Sequence, residues 1–128
     1  MVTTVTNGIK VSVETAYRHD HSKPADQHYV FTYRITIENN SNSTVQLKAR
    51  HWDIKDAAHP SHEVDGDGVV GKQPVLEPGQ MHQYVSGCNL KSGIGKMSGH
   101  YVMEQILNGS VFHVEIPEFM MVVPFKLN

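Results

Sequence analysis

Residues 29–38 read YVFTYRITIE, with Tyr29, Phe31, Tyr33, Ile35 and Ile37 on one parity and Val30, Thr32, Arg34, Thr36 and Glu38 on the other. Side chains alternate between the two faces of a strand, so this period of two predicts a strand with one face inside and the other toward water, as in an antiparallel sheet. Ile9, Val11 and Val13 set against Lys10, Ser12 and Glu14 repeat the pattern, and Val45, Leu47 and Ala49 set against Gln46 and Lys48 repeat it again. The third run then slips by one residue, because its apolar positions move to Trp52 and Ile54. A β-bulge near Arg50 or His51 lets both halves face the core; the alternative is a straight strand that buries His51.

Turn residues divide the rest of the chain at short intervals: Asn7-Gly8, the polar run 39–43, Pro78-Gly79, Ser86-Gly87, Ser92-Gly93 and Asn108-Gly109. Asn108-Gly109, flanked by residues 101–107 and 111–116, reads as a two-residue hairpin whose type I′ turn needs positive φ at both central positions. Glu77-Pro78-Gly79-Gln80 suits a type II turn, proline fixing one φ and glycine taking the positive one that follows. No window carries apolar residues at helical spacing over ten or more residues, and prolines and β-branched residues are spread throughout. The expected fold is all-β: about seven short strands in a sandwich of two antiparallel sheets, immunoglobulin-like or fibronectin type III-like, with a closed barrel as second choice. Residues 1–128 form one domain on this reading, without internal repeat or linker. Trp52, Met97 and Met103 are expected in its core.

The 128 residues carry a formal net charge of -2 and one cysteine, Cys88. That charge offers no general grip on phosphate backbones, so nucleic acid is not an expected partner. A lone cysteine cannot close an internal disulfide, and the start MVTTVTNGIK has neither the basic nor the apolar segment of a secretory signal. A cytoplasmic location is expected. The apolar stretches are too short to span a bilayer, and no membrane role is expected.

The strings RHWDIKD (residues 50–56), VDGDGVVGKQPVLEPG (64–79), YVSG (84–87), GKMSGHYVM (95–103) and FHVEIPEF (112–119), in this order, closely resemble the bacterial ApaG family. The resemblance runs over almost the whole chain. It implies a fibronectin type III-like sandwich that stands alone in bacteria and occurs as a domain in some eukaryotic F-box proteins and a polymerase-interacting protein, settings that imply partner binding. The family is also associated with cobalt and magnesium resistance or efflux, and its name records genetic proximity to a diadenosine-tetraphosphate hydrolase. Neither association specifies a reaction.

Within the second string, Gly66, Gly68 and Gly71 form GxGxxG, with Val69, Val70 and Lys72 completing the family's glycine motif. A dinucleotide fingerprint needs a helix after the glycines, and Pro74 and Pro78 argue against one. Two readings remain. The backbone amides form a nest, with Lys72 adding charge, for a phosphate or a partner's carboxylate; or the glycines serve a sheet connection and Asp67 repels anions, the reading that carries more weight.

Nine histidines raise the question of a metal, with His19-Asp20-His21 and His59-Pro60-Ser61-His62 the suggestive spacings. Zinc needs three or four converging ligands, and this spacing alone does not converge them. Loop histidines in water are the expectation, with no metal and no cofactor. Cys88 with His82 or His100 as base matches no nucleophile motif, and no GxSxG, P-loop or paired carboxylates appear, so the chain is not expected to be an enzyme.

Residues 116–125, IPEFMMVVPF, are apolar on both parities. A strand of a two-layer sandwich buries one face in its own domain, so Phe119, Met120, Met121, Val122 and Val123 are the candidate interaction edge, with Pro117 and Pro124 favouring an edge position. The expected function is a non-enzymatic binding module for another protein, with self-association possible. Phosphate or nucleotide binding through GxGxxG is the alternative, and divalent-cation handling a further one.

Overall fold

The computed structural model describes residues 1–126. Nine strands follow one another along these residues: β1 (Val2–Thr6), β2 (Ile9–Tyr17), β3 (Tyr29–Asn39), β4 (Val45–Asp56), β5 (His62–Asp67), β6 (Val75–Leu76), β7 (Met81–Leu90), β8 (Ile94–Gln105) and β9 (Val111–Val122). Short 3₁₀ turns at His19–His21, Pro24–Asp26 and Pro124–Lys126 are the only helical elements among them. One sheet has the order β1-β2-β3-β7 and the other β5-β4-β8-β9, with β6 added beside β4; every pairing is antiparallel. The architecture is therefore the expected sandwich. The two strands beyond the expected seven are short: a five-residue β1 and a two-residue β6.

The alternation at residues 29–38 aims Phe31, Tyr33, Ile35 and Ile37 of β3 at Trp52 and Ile54 of β4, Met97, Tyr101 and Met103 of β8, and Phe119 and Met121 of β9, all of them buried. Each such side chain contributes roughly 1.5–3 kcal/mol on leaving water. At the centre, the Tyr33 ring lies 5.5 Å from Trp52 and 5.5 Å from Phe119, at tilted or edge-on angles. Several polar groups of the interior are paired, although the buried Tyr17 hydroxyl has no hydrogen-bond partner among the described residues. The hydroxyls of Tyr84 and Tyr101 share a hydrogen bond of 2.5 Å. The wholly buried Asn39 donates to the carbonyls of Ser43 and Leu76 and accepts from Ser41, so its burial leaves no amide atom unpaired.

The slipped phase in β4 is a bulge, two residues before the expected place. Leu47 pairs with Met103 and Ala49 with Val102, which leaves Lys48 as the extra residue. Arg50, opposite the buried Tyr101, thereby joins Trp52 and Ile54 on the inner parity, while His51 and Asp53 face outward. A second bulge sets Pro117 and Glu118 of β9 against Ser98 alone, a place where proline's missing N–H breaks no ladder.

Asn108-Gly109 does not form the expected two-residue turn. Gln105 N–H donates to Ser110 and Gly109 N–H to Gln105, so four residues lie inside the closing pair and only Gly109 takes positive φ. The strands' register sets this length, since Val111 pairs with Glu104. The Asn-Gly signature is used instead at Asn7-Gly8, with φ of 49° and 78°, between Thr6 and Ile9. Gly79, at φ 88°, follows Pro78 in a turn closed by Gln80 N–H on Glu77.

Candidate functional site

The glycine-rich segment leaves β5 and turns back toward β6 with no helix after it. Val69 and Lys72 exchange both backbone hydrogen bonds, 2.8 and 3.0 Å, around Val70 (φ 48°) and Gly71 (φ 76°). This is a type I′ hairpin turn with a β-branched residue in the first left-handed position, a placement sterics disfavour. Val69 is buried in the core and Val70 is 60% exposed, so one valine anchors the turn and the next is displayed.

The β4 bulge builds the base of this turn. Its extra residue presents a carbonyl that accepts from Gly68 N–H at 2.9 Å and from the Gln73 side-chain amide at 2.8 Å. Arg50, turned inward by the same bulge, sends one guanidinium nitrogen to the carbonyls of Asp67 and Gly68, 3.0 and 2.9 Å away. The guanidinium crosses directly over Gly66, where an added Cβ would lie 2.7 Å from it. At Gly68 a Cβ would overlap the Lys72 carbonyl, and φ is +60°. Two of the three motif glycines are thus explained by close approach. The amides of Gly68, Val69 and Lys72 already donate to protein carbonyls, which leaves those of Val70 and Gly71 without a protein acceptor among the described residues.

Beside the turn, the outer face of the second sheet carries a row of imidazoles. His51 pairs with His100 across β4 and β8, and the His100 ring stacks at 5.1 Å on His51 and at 4.3 Å on His113 of β9. Burial and the two neighbouring imidazoles lower the pKa of His100. His51 moves the other way: the hydrogen bond to Asp65 raises its pKa against the opposing effect of burial, and Asp65 and Asp53 add their charge. Its Nδ1 lies 2.6 Å from Asp65, and its Nε2 lies 3.4 Å from Asp53 and 3.8 Å from Glu63. One ligand atom from each of His51, Asp53 and Glu63 falls within 4.8 Å of the others.

This grouping was not among the sequence candidates, although a signal for it exists. His51-x-Asp53 and Glu63-x-Asp65 each place two such side chains on one strand face. The histidines singled out by spacing lie elsewhere: His19 and His21 on an exposed 3₁₀ turn, His59 in an exposed turn, and His62 opposite Ile54. Cys88 is half-buried against the core, and burial, with the Asp56 charge, pushes its thiol up to about 11. Burial pushes His82 down, helped by Lys72. His82 stands six residues from Cys88 along β7, roughly 20 Å at strand spacing, and His100 faces outward on the other sheet.

The C-terminal stretch divides by parity. Phe119, Met121 and Val123 are core residues, Val122 is half-buried, and Met120 is 52% exposed. β9 does end its sheet, but Thr4 and Thr6 of β1 reach its backbone at Glu115, Thr4 donating to the carbonyl at 3.0 Å and Thr6 accepting from the N–H at 3.2 Å. That part of the edge is covered by the protein itself. No described helix is long and apolar enough to cross a membrane.

The family model for the ApaG domain matches residues 19–105, which takes in the β4 bulge, the glycine-rich turn and the histidines of β4 and β8. Protein ApaG of Brucella anthropi is 52% identical over 124 residues, covering 97% of this chain and 95% of its own length; that of Brucella abortus is 50% identical over the same span. A crystal structure of a Bordetella pertussis protein described as ApaA superposes with a TM-score of 0.87 at 42% identity, covering 91% of this chain and 94% of that one. An Archaeoglobus fulgidus protein, 8% identical with a TM-score of 0.52, shares the fold alone. With the family model matched over residues 19–105 and relatives about half identical over nearly its whole length, the chain belongs to the ApaG family.

Proposed function

We propose that this chain is a non-catalytic binding module that recognises another protein through the turn at Val69–Lys72. The observation that carries the reading is Val70, an exposed β-branched residue held at φ 48°. Such a conformation costs about 1–3 kcal/mol and persists only where the surroundings hold it, typically where strain serves a site. Here the surroundings are rigid: the Lys48 carbonyl, the Arg50 guanidinium and the buried Val69 fix the turn from three sides. A pre-ordered tip loses little conformational freedom on binding, and Val70 beside Lys72 offers one apolar contact and one cation.

Val70→Asn tests this directly, because asparagine takes the left-handed conformation more readily yet lacks the apolar side chain. Affinity capture from lysate of the source cells, quantified by mass spectrometry, should lose at least tenfold of its specific partner with Val70→Asn, while thermal stability holds or rises. Equal capture by the native chain and the variant would rule the turn out as the contact.

A further inference from the structure

The geometry points to a binding site for a first-row divalent transition-metal ion, formed by His51 Nε2 and the carboxylates of Asp53 and Glu63 on the outer face of the β4–β5 hairpin. Antiparallel register builds it. His51 stands directly opposite Asp65, and Asp53 directly opposite Glu63, so four side chains form a square on one sheet face. Like charges directly opposite each other destabilise a strand pair. Among the described residues no lysine or arginine forms an ion pair with Asp53, Glu63 or Asp65, and the His51 Nε2 lies 3.4 Å from one member of the repelling pair and 3.8 Å from the other. A cation between them removes the repulsion.

The histidine is oriented as a ligand. An ionised carboxylate only accepts hydrogen bonds, so the 2.6 Å contact with Asp65 places a proton on Nδ1, and in the neutral ring, the form a metal ion binds, the Nε2 lone pair faces Asp53 and Glu63. A carboxylate that fixes the tautomer from behind is the usual support of a metal-bound histidine. His100, stacked on the same ring, holds it from the side. The spacing also fits. Bonds of about 2.0–2.2 Å in a tetrahedral site put ligand atoms roughly 3.3–3.6 Å apart, against 3.4 Å from Nε2 to Asp53 and 3.8 Å to Glu63. All three ligand atoms lie within 4.8 Å of one another, so closing the site draws the two carboxylates together around the ion. One imidazole and two carboxylates with a fourth position for water suit zinc and its neighbours, whereas magnesium and calcium favour oxygen throughout.

Zn²⁺ titrated by calorimetry into the chelator-stripped full chain tests the site, with ¹⁵N spectra of the histidine side chains recorded in parallel. One saturable site is expected, with the His51 ring nitrogens shifting and those of His19 and His21 unmoved. Asp53→Asn and Glu63→Gln should each weaken binding at least tenfold. Asp65→Asn should weaken it about 10–100-fold through the ring it orients. A His19→Asn/His21→Asn chain should bind as the native one does, and equimolar Mg²⁺ should not compete. Because removing either member of the opposed Asp53–Glu63 pair relieves repulsion, the metal-free Asp53→Asn and Glu63→Gln chains should melt no lower than the native chain, which shows that they fold. Zinc heat that persists unchanged in the Asp53→Asn/Glu63→Gln chain, a His51 ring unmoved at saturation, or no saturable binding would each overturn the proposal.

Discussion

The turns at Asn7-Gly8 and Val70-Gly71 have nearly the same backbone, φ 49° and 78° in the first and 48° and 76° in the second. The first uses asparagine and glycine, which enter the left-handed region cheaply; the second puts an exposed valine there. Fold requirements alone account for the first turn but not for Val70, since asparagine at position 70 would close the same hairpin with less strain. Val70 thus breaks a local rule on the surface, and the contact proposed for this turn is one account of why it stands there.

The comparison breaks most severely at the base of the second turn. Gly68→Ala must place a Cβ against the Lys72 carbonyl while keeping φ near +60°. Urea unfolding should show a loss of about 3 kcal/mol, the combination of left-handed strain and displaced backbone. Gly8 is also left-handed, but its added Cβ would meet the Ser41 Cβ, Cα and N at 3.0–3.2 Å, a tight contact that needs a shift of a few tenths of an ångström rather than the 2.2 Å overlap at Gly68. Gly8→Ala should cost about half as much.

Exchanging the tip residues sharpens the contrast at smaller amplitude. Asn7→Val should cost about 1 kcal/mol and Val70→Asn should gain a similar amount, both read from the urea midpoint at constant slope. Equal and opposite changes would show that the two turns differ only in the residue they carry. A loss in both would mean that Val70 packs in a way its exposure does not reveal.

The strand pattern was legible because β3 obeys one rule throughout its length: Phe31, Tyr33, Ile35 and Ile37 are inside as their parity requires. The β4 bulge was legible as a slipped phase but was placed two residues late, because Arg50 occupies an inner position that pattern reading reserves for apolar side chains. Asn108-Gly109 misled for a related reason. A turn signature gives the local preference, and the register of β8 with β9 overrides it. The carboxylate–histidine square was hidden more deeply. Its two halves are visible as His51-x-Asp53 and Glu63-x-Asp65, yet only the pairing of β4 with β5 in one register brings them together, and register is a long-range property.

A third connection, between β7 and β8, is held by a charge rather than by glycine φ, and it should therefore part from the other two with pH. Asp56 at the end of β4 accepts from the backbone N–H of Lys91 at 2.6 Å and of Ser92 at 3.2 Å, and from the Ser92 hydroxyl. Burial works to raise its pKa, but the Ser92 hydroxyl and the backbone amides outweigh it, and the folded pKa lies below the ordinary value. A depressed folded pKa stabilises above the unfolded value, about 3.9, and that stabilisation is lost as pH falls through the folded pKa. Asp56→Asn should accordingly cost less than about 1 kcal/mol near neutral pH, since the site is partly solvated. The gap between native and variant urea midpoints should close as pH drops below about 4. The effect of Gly68→Ala, which involves no titrating group, should stay constant over the same range. A constant Asp56→Asn gap down to pH values where the native carboxylate is protonated would show that shape, rather than charge, holds this turn.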